Sequence, residues 1–440
     1  MKRILTVLLA VLLALSMVAC SGSTTGGNTV NPGGNTENPG GNTENPGGNT
    51  ENPGGNTENP GGNTENPGGN TDNPGGNTDN PGGDDEVQGE VQWDKLNEVL
   101  DFVLEVENGR DVVVLQLTDI QIIDSSQARS PDRLTAADAA MWVPGNMEIL
   151  AWSVMRQIVE RVNPDLIVLS GDNVYGEFDD NGTVLTALIA EMESYKIPWT
   201  LTFGNHDNET KKGMEWTCSQ YENAEHCLFK RGPIDKLHGN GNFTIGVKQG
   251  DKLSEVIWLM DSNGHTEQDE SQNMYSSEGL FEDQIQWFED TCLKLKEYNG
   301  GVMPASIGFF HHPMQAICSG MQKYGYVATP NFSRFLIPEN TVGDSGCMNS
   351  DGKYVDKSFT FHKLLKKYKC EGWFFGHEHR NNTSVTYEGV RYTFGLKASY
   401  YDSYENFSQS LLERDEVGGT KILLGESGLR VSHEYYDTEA

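Results

Sequence analysis

Apolar residues are spread unevenly along this 440-residue chain. From Val91 onward, short apolar runs alternate with stretches in which apolar side chains return every three or four positions. The short runs predict buried strands at 112–117, 166–169, 199–203, 256–260, 306–310 and 373–375. The helical spacing predicts helices at about 146–162, 183–195, 281–298 and 356–368. In the third of these, Phe281, Ile285, Phe288, Cys292 and Leu295 form one apolar face, which reads as core. After Asn381 short strands dominate, at 385–387, 391–394, 421–424 and 430–433, so the class is mixed α/β with a β-rich tail.

Before Val91 the pattern is different. Lys2 and Arg3 precede an apolar run over 4–18, too short and too near the terminus to span a bilayer, and Ala19 and Cys20 follow. This predicts an export signal over 1–19. The lone cysteine followed by Ser21, Gly22 and Ser23 resembles a bacterial lipoprotein signal, in which Cys20 becomes the lipid-bearing terminus. A secretory peptide with an incidental cysteine is the alternative. From Asn31 to Gly83 the unit Asn-Pro-Gly-Gly-Asn-Thr-Glu repeats every seven residues, with Asp72 and Asp79 in place of Glu. No unit carries an apolar side chain, so stacking would bury nothing, and an acidic tether over 20–90 is expected rather than a solenoid. About 70 such residues have an r.m.s. span of roughly 45 Å. A calcium-binding array is the other reading, disfavoured because the acidic residues are sparse. The segment 91–440 is then a single catalytic-sized domain.

Charge narrows the partners. The net charge is −32; up to Glu86 there are ten acidic residues against Lys2 and Arg3, which leaves −24 for the globular part. Such a surface argues against nucleic acid as the main partner, although bound metal ions would reverse the field locally. Cys218, Cys227, Cys292, Cys318, Cys347 and Cys370 are even in number, as expected for disulfides in an exported chain. The pairs 218–227, 318–347 and 292–370 are one of 15 arrangements. No CxxC pair occurs, which weakens a structural zinc site.

Five polar segments directly follow predicted strands: Asp119-Ile-Gln121, Gly171-Asp172-Asn173, Gly204-Asn205-His206-Asp207, His311-His312-Pro313 and Gly376-His377-Glu378-His379. Each carries oxygen or imidazole donors suited to divalent metals. Two ions about 3.5 to 4 Å apart need a shared anionic ligand, and a carboxylate on a strand-end turn supplies one. Asp172 is the candidate. His377 and His379, two apart, would face one side of an extended segment.

In this order the segments resemble the calcineurin-like metallophosphoesterase superfamily, over about 112–396. The resemblance implies two mixed β-sheets packed face to face and flanked by helices. It also implies a dinuclear centre of manganese, iron or zinc, one ion taking Asp119, Asp172 and His379 and the other Asp172, Asn205, His311 and His377. His206 would face the substrate and help protonate the leaving group while a bridging hydroxide attacks phosphorus, with Asp207 orienting or charging its imidazole. His312 would stand behind the ligands or in the core. One position departs from the pattern: Gln121 stands where histidine is usual. It would ligate directly or through water, or leave its place to another group. Tyr175 is a candidate, because Asp172-Asn173-Val174-Tyr175 resembles the GDxxY segment of purple acid phosphatases; an ordinary packed tyrosine is the alternative.

The expected function is a lipid-anchored, exported phosphomonoesterase of the cell envelope. A phosphodiesterase acting on cyclic nucleotides, nucleic acid or lipid headgroups, or a surface binding protein that has lost turnover, would use the same core. Loops at 127–145, 209–242 and 262–279 would choose the substrate, with Trp142, Trp216, Tyr221 and Tyr275 lining a cleft or packing the loops.

Overall fold

The computed structural model describes residues 88–124, 126–127, 146–325, 333–334, 345–346, 354–379, 381–399 and 417–437. The signal segment, Cys20, the repeat, Trp142 and Cys347 lie outside the described residues. The described chain runs α1 (Trp93–Leu96), β1 (Phe102–Glu105), β2 (Val112–Leu117), α2 (Asn146–Val162), β3 (Leu166–Ser170), α3 (Thr183–Ser194) and β4 (Trp199–Thr202). It continues through α4 (Gly213–Glu222), β5 (Phe243–Gln249), β6 (Lys252–Leu259), α5 (Glu282–Tyr298), β7 (Ala305–Phe309) and α6 (Gln315–Lys323). A two-residue pair, β8 (Ser333–Arg334) and β9 (Ser345–Gly346), precedes α7 (Thr360–Lys367) and β10 (Cys370–Phe375). Strands β11 (Ser384–Tyr387), β12 (Val390–Phe394), β13 (Gly418–Leu424) and β14 (Arg430–Tyr435) complete it.

These strands build two mixed sheets. One has the order β14-β13-β2-β3-β4, the other β1-β5-β6-β7-β10-β12-β11. In the first, β2, β3 and β4 are parallel; in the second, β6, β7, β10 and β12 are parallel. Alternation along the strands shows how the layers stack. Ile257, Leu259, Ile307, Phe309 and Phe374 join residues of β2, β3 and β4 in one core between the sheets. Their neighbours Val256, Trp258, Trp373 and Phe375 pack on the other face against Phe288, Cys292 and Leu295 of α5 and Phe361 and Leu365 of α7. Helix α2 covers the far side of the first sheet with Val154, Met155 and Ile158. The result is the expected sandwich of two sheets with helices outside.

Most expected elements are present, with shifted ends. Strands β1 and β5, the β8–β9 pair and helices α1, α4 and α6 were not expected. In β5 the central Gly246 interrupts the apolar run; in α6 Gly320 does, and a side chain there would press on Val385 of β11. Helix α7 begins at Thr360, four residues later than expected, because Asp356 stays outside and accepts the backbone N–H of Phe361 and His362 at 3.0 and 2.8 Å. The cysteine pairs also need correction. Cys218, Cys227, Cys292, Cys318 and Cys370 are all free thiols buried in the two cores, so the pairs 218–227 and 292–370 are not made. They pack as small apolar side chains.

Candidate metal centre

Parallel strands end on the same side, so the loops after β2, β3 and β4 meet those after β7 and β10 along the seam between the sheets. The first two loops are laced together beyond their strands: Asp119 N donates to Gly171 O at 3.1 Å and Gln121 N to Asp172 O at 2.8 Å. Asp119, Gln121, Asp172 and His377 all have left-handed backbone, with φ of 51°, 49°, 49° and 71°. Non-glycine residues at such angles are strained, and strain of this kind collects where geometry is imposed by function.

Asp119, Asp172 and His311 bring one ligand atom each within 4.8 Å of one another, all buried. His311 Nδ1 is fixed by Ser170 O at 3.1 Å, which turns Nε2 toward Asp172 at 3.4 Å and Asp119 at 4.0 Å. That Nε2 is buried and makes no hydrogen bond. A buried imidazole nitrogen aimed between two carboxylates, within ion-pair distance of both but hydrogen-bonded to neither, fits a metal ion there. His379 Nε2 lies 3.4 Å from Asp119 Oδ1, and His377 Nδ1 lies 3.1 Å from Asn205 Oδ1. The two histidines therefore reach different partners, but not from an extended segment as expected. The left-handed turn at His377 separates them, and its N–H donates to both Asp119 oxygens at 3.1 Å.

The electrostatics follow from this crowding. Burial opposes charge on His311, yet Asp172 and Asp119 outweigh it and raise its pKa to about 9. Burial likewise opposes ionisation of Asp172, and His311 and His206 nevertheless hold it well below the usual carboxylate range. His377, by contrast, is lowered to about 3 by burial and by the neighbouring His311. The site stabilises cationic charge beside the two aspartates.

His206 stacks on Tyr175, with centroids 4.2 Å apart and planes 20° from parallel, and its backbone N–H donates to Asp172 Oδ1 at 2.9 Å. The expected role of Asp207 is not seen. Its buried carboxylate accepts the backbone N–H of Gly204, Asn173 and Val174 at 2.7, 2.9 and 3.1 Å, and burial and Asp172 raise its pKa to about 7. Glu209 takes the place beside the imidazole instead, with Oε2 2.9 Å from His206 Nδ1. Asp207 thus braces the loop, and Glu209 meets the ring.

The sequence pattern of the calcineurin-like phosphoesterase family matches residues 112–381, the segment that carries all five loops. The chain belongs to this family. Among curated relatives it is 25% identical over 264 residues to probable inactive purple acid phosphatase 28 of Arabidopsis thaliana, covering 56% of this chain and 61% of the relative. It is 28% identical over 174 residues to phosphatase DCR2 of Saccharomyces cerevisiae, covering 36% of this chain and 28% of that one. The chain thus spans about three fifths of the plant relative's length and less of the yeast one. Among solved structures, a dimetal phosphatase from Danio rerio aligns over 74% of this chain and 100% of its own at 12% identity and TM-score 0.44. A purple acid phosphatase from yellow lupin seeds (Lupinus luteus) aligns over 74% and 53% at 12% identity and TM-score 0.39.

Two residues of this site, Glu209 and Lys397, lie outside the five motif segments. Glu209 lies two residues past the Gly204–Asp207 segment. Lys397, on the stretch that leaves β12 and bridges to Thr118 and Val417, is 1% exposed and donates from Nζ to Asp119 O at 2.6 Å and Gln121 Oε1 at 3.0 Å. A lone lysine in the run Gly395-Leu396-Lys397-Ala398 was the available signal. Gln121 Nε2 in turn donates to Asp172 Oδ2 at 3.2 Å. His312 lies behind the site, its Nδ1 3.0 Å from Ser262 Oγ and its ring 4.6 Å from that of His377. Tyr221 is core, Tyr275 packs on His238 and Phe281, and Lys212 lies over Trp216 at 4.8 Å. A second cluster, Glu193, Glu225 and His226, has its central carboxylate occupied by Trp199 Nε1 and by His226 N–H and Nδ1, which makes it a structural brace.

Proposed function

We propose that this chain hydrolyses phosphoric esters, phosphomonoesters first among them, at two metal ions held between its sheets. One observation carries the reading: buried Asp119 and Asp172 from one sheet converge with His311 from the other, whose Nε2 is left without a hydrogen bond. Following the family pattern, Asp119, Asp172 and His379 would hold one ion, and Asp172, Asn205, His311 and His377 the other. Manganese, iron and zinc all suit this donor set. Bound there, such ions lower the pKa of water and neutralise charge on phosphoryl oxygens.

The chain's own residues do the rest. Gly204 allows Asp172 to sit where it does, since a Cβ at that position would run into the Asp172 carboxylate. Glu209 Oε2, 2.9 Å from Nδ1, pairs with His206 in its protonated form, and Nε2 would carry the proton given to the leaving-group oxygen. Tyr175 forms the wall against which that ring stacks, and we assign it to packing rather than ligation. The name of the Arabidopsis relative includes the word inactive, and a binding role without turnover would be the corresponding reading here. The poised His206–Glu209 pair speaks against it, because capture of a phosphate ester by metal ions needs no oriented imidazole. We place the domain outside the cell, tethered through the acidic repeat to a lipid on Cys20.

The test is turnover of an aryl phosphomonoester and the matching diester, with bound metal measured on the same samples, for the purified chain and His206→Ala. Two ions per chain, preference for the monoester and a loss of about 10²- to 10⁴-fold in the variant are expected. Faster diester cleavage would move the assignment to a phosphodiesterase. Absence of turnover with manganese, iron and zinc each supplied would refute hydrolysis.

A further inference from the structure

An ammonium group has only donors and a carboxylate only acceptors. Gln121 lies between one of each: Lys397 Nζ at 3.0 Å from its Oε1, and Asp172 Oδ2 at 3.2 Å from its Nε2. Turning the amide over would set its NH₂ against the ammonium and its oxygen against the carboxylate. Both Gln121 and Lys397 are 1% exposed, so bulk water does not reach them to relieve either mismatch. The orientation of the amide is therefore fixed by its neighbours rather than chosen by convention.

We infer that Lys397 locks Gln121 as a hydrogen-bond donor to Asp172, and so removes it from the ligands of the ion beside Asp119. This rests on the dinuclear reading above and makes the two halves of the centre unequal. Gln121 offers that half no oxygen, and Lys397 Nζ is bonded to the carbonyl of Asp119 itself. The half built from Asn205, His311 and His377 has no such neighbour among the described residues. Lys397 is a positioning residue: it keeps the Gln121 oxygen away from the ion and itself sets how tightly the Asp119 side holds it. The order of filling follows, with the Asn205 side first and the Asp119 side second and more weakly.

The test is titration calorimetry of the metal-stripped full chain with Mn²⁺ and with Zn²⁺, with bound metal counted after gel filtration. Wild type should bind in two separated steps. Lys397→Met, which keeps the length of the side chain and removes its charge and donors, should tighten the weaker step by about tenfold or more and leave the tighter one unchanged. Two equal steps in wild type, or a weaker step unmoved by Lys397→Met, would overturn the inference while leaving a dinuclear centre intact. Should Lys397→Met fail to fold, Gln121→Leu decides. Both steps should persist in it, with the weaker altered less than about threefold, whereas loss of the weaker step would show Gln121 to be a ligand. No binding of either ion by wild type would refute the metal centre and this inference together.

Discussion

Glu209 shows how much of this site depends on single side chains outside the obvious motif. Its Oε2 meets His206 Nδ1 and also accepts the Glu177 N–H at 3.3 Å, while Oε1 accepts from Thr266 Oγ1 at 3.0 Å. The carboxylate is thus held by two further segments and holds the imidazole in turn. Burial opposes charge on His206, but Asp172 and Glu209 together raise its pKa above the ordinary value. With Asp172 neutralised by metal, Glu209 remains to keep the ring protonated. Glu209→Gln retains a hydrogen-bonding oxygen and loses the charge. It should therefore lower kcat by about ten- to a hundredfold with little change in KM, and move the alkaline limb of the pH–rate profile to lower pH. A variant with the wild-type profile would reduce Glu209 to a loop contact. Four neighbouring residues with positive φ, Asp119, Gln121, Asp172 and His377, each carry strain of about 1–2 kcal/mol. The buried lacing between their loops keeps them there.

Strand ends were legible in the sequence because a parallel strand buried on both faces reads as an uninterrupted apolar run. The runs ending at Leu117, Leu169 and Phe375 announced where Asp119, Asp172 and His377 would emerge. Strand β5 was not legible: Thr244, Gly246 and Lys248 break its pattern, and its place depends on pairing with β6 and β1. Glu209 and Lys397 were hidden for a related reason, since their roles arise from contacts across the fold that local spacing does not encode. The same holds for a pair inside the second sheet. Glu255 on β6 is 5% exposed, and burial, then Glu371 on β10, raises its pKa to about 8. The sign follows from linkage. The folded state binds the proton more tightly, so this group's stability contribution is full below the unfolded value of 4.5 and is lost as pH rises toward 8. The slope reaches about 1.4 kcal/mol per pH unit at most. Glu255→Gln should therefore melt at nearly the same temperature as wild type at pH 4.5 and progressively higher than it toward pH 8. Parallel melting curves across that range would show that the Glu255 carboxyl is not raised by the fold.

The whole domain is organised so that its chemistry lies on a seam. Asp119, Asp172 and Asn205 follow strands of one sheet and His311 and His377 follow strands of the other, so an ion held by both sets ties the two sheets at one edge. The apolar core between the sheets closes the remainder. The acidic surface of the chain, with its net charge of −32, draws cations toward the molecule but repels phosphate esters until the site is filled. Metal occupancy should then act on the entire fold rather than on a loop. Ligands that bind only the native state add RT ln(1 + [L]/Kd), about 2.7 kcal/mol at a hundredfold excess over Kd. For a domain of this size that corresponds to a rise of about 4 °C in a single melting transition. Mn²⁺ or Zn²⁺ should produce it, EDTA should reverse it, and His311→Ala should abolish most of it. Asp172→Asn should do the same from the opposite sheet, because the tie fails when either end is cut. If the ions instead raise only one of two resolved transitions, they are held by one sheet alone, and the seam is a cleft rather than a joint.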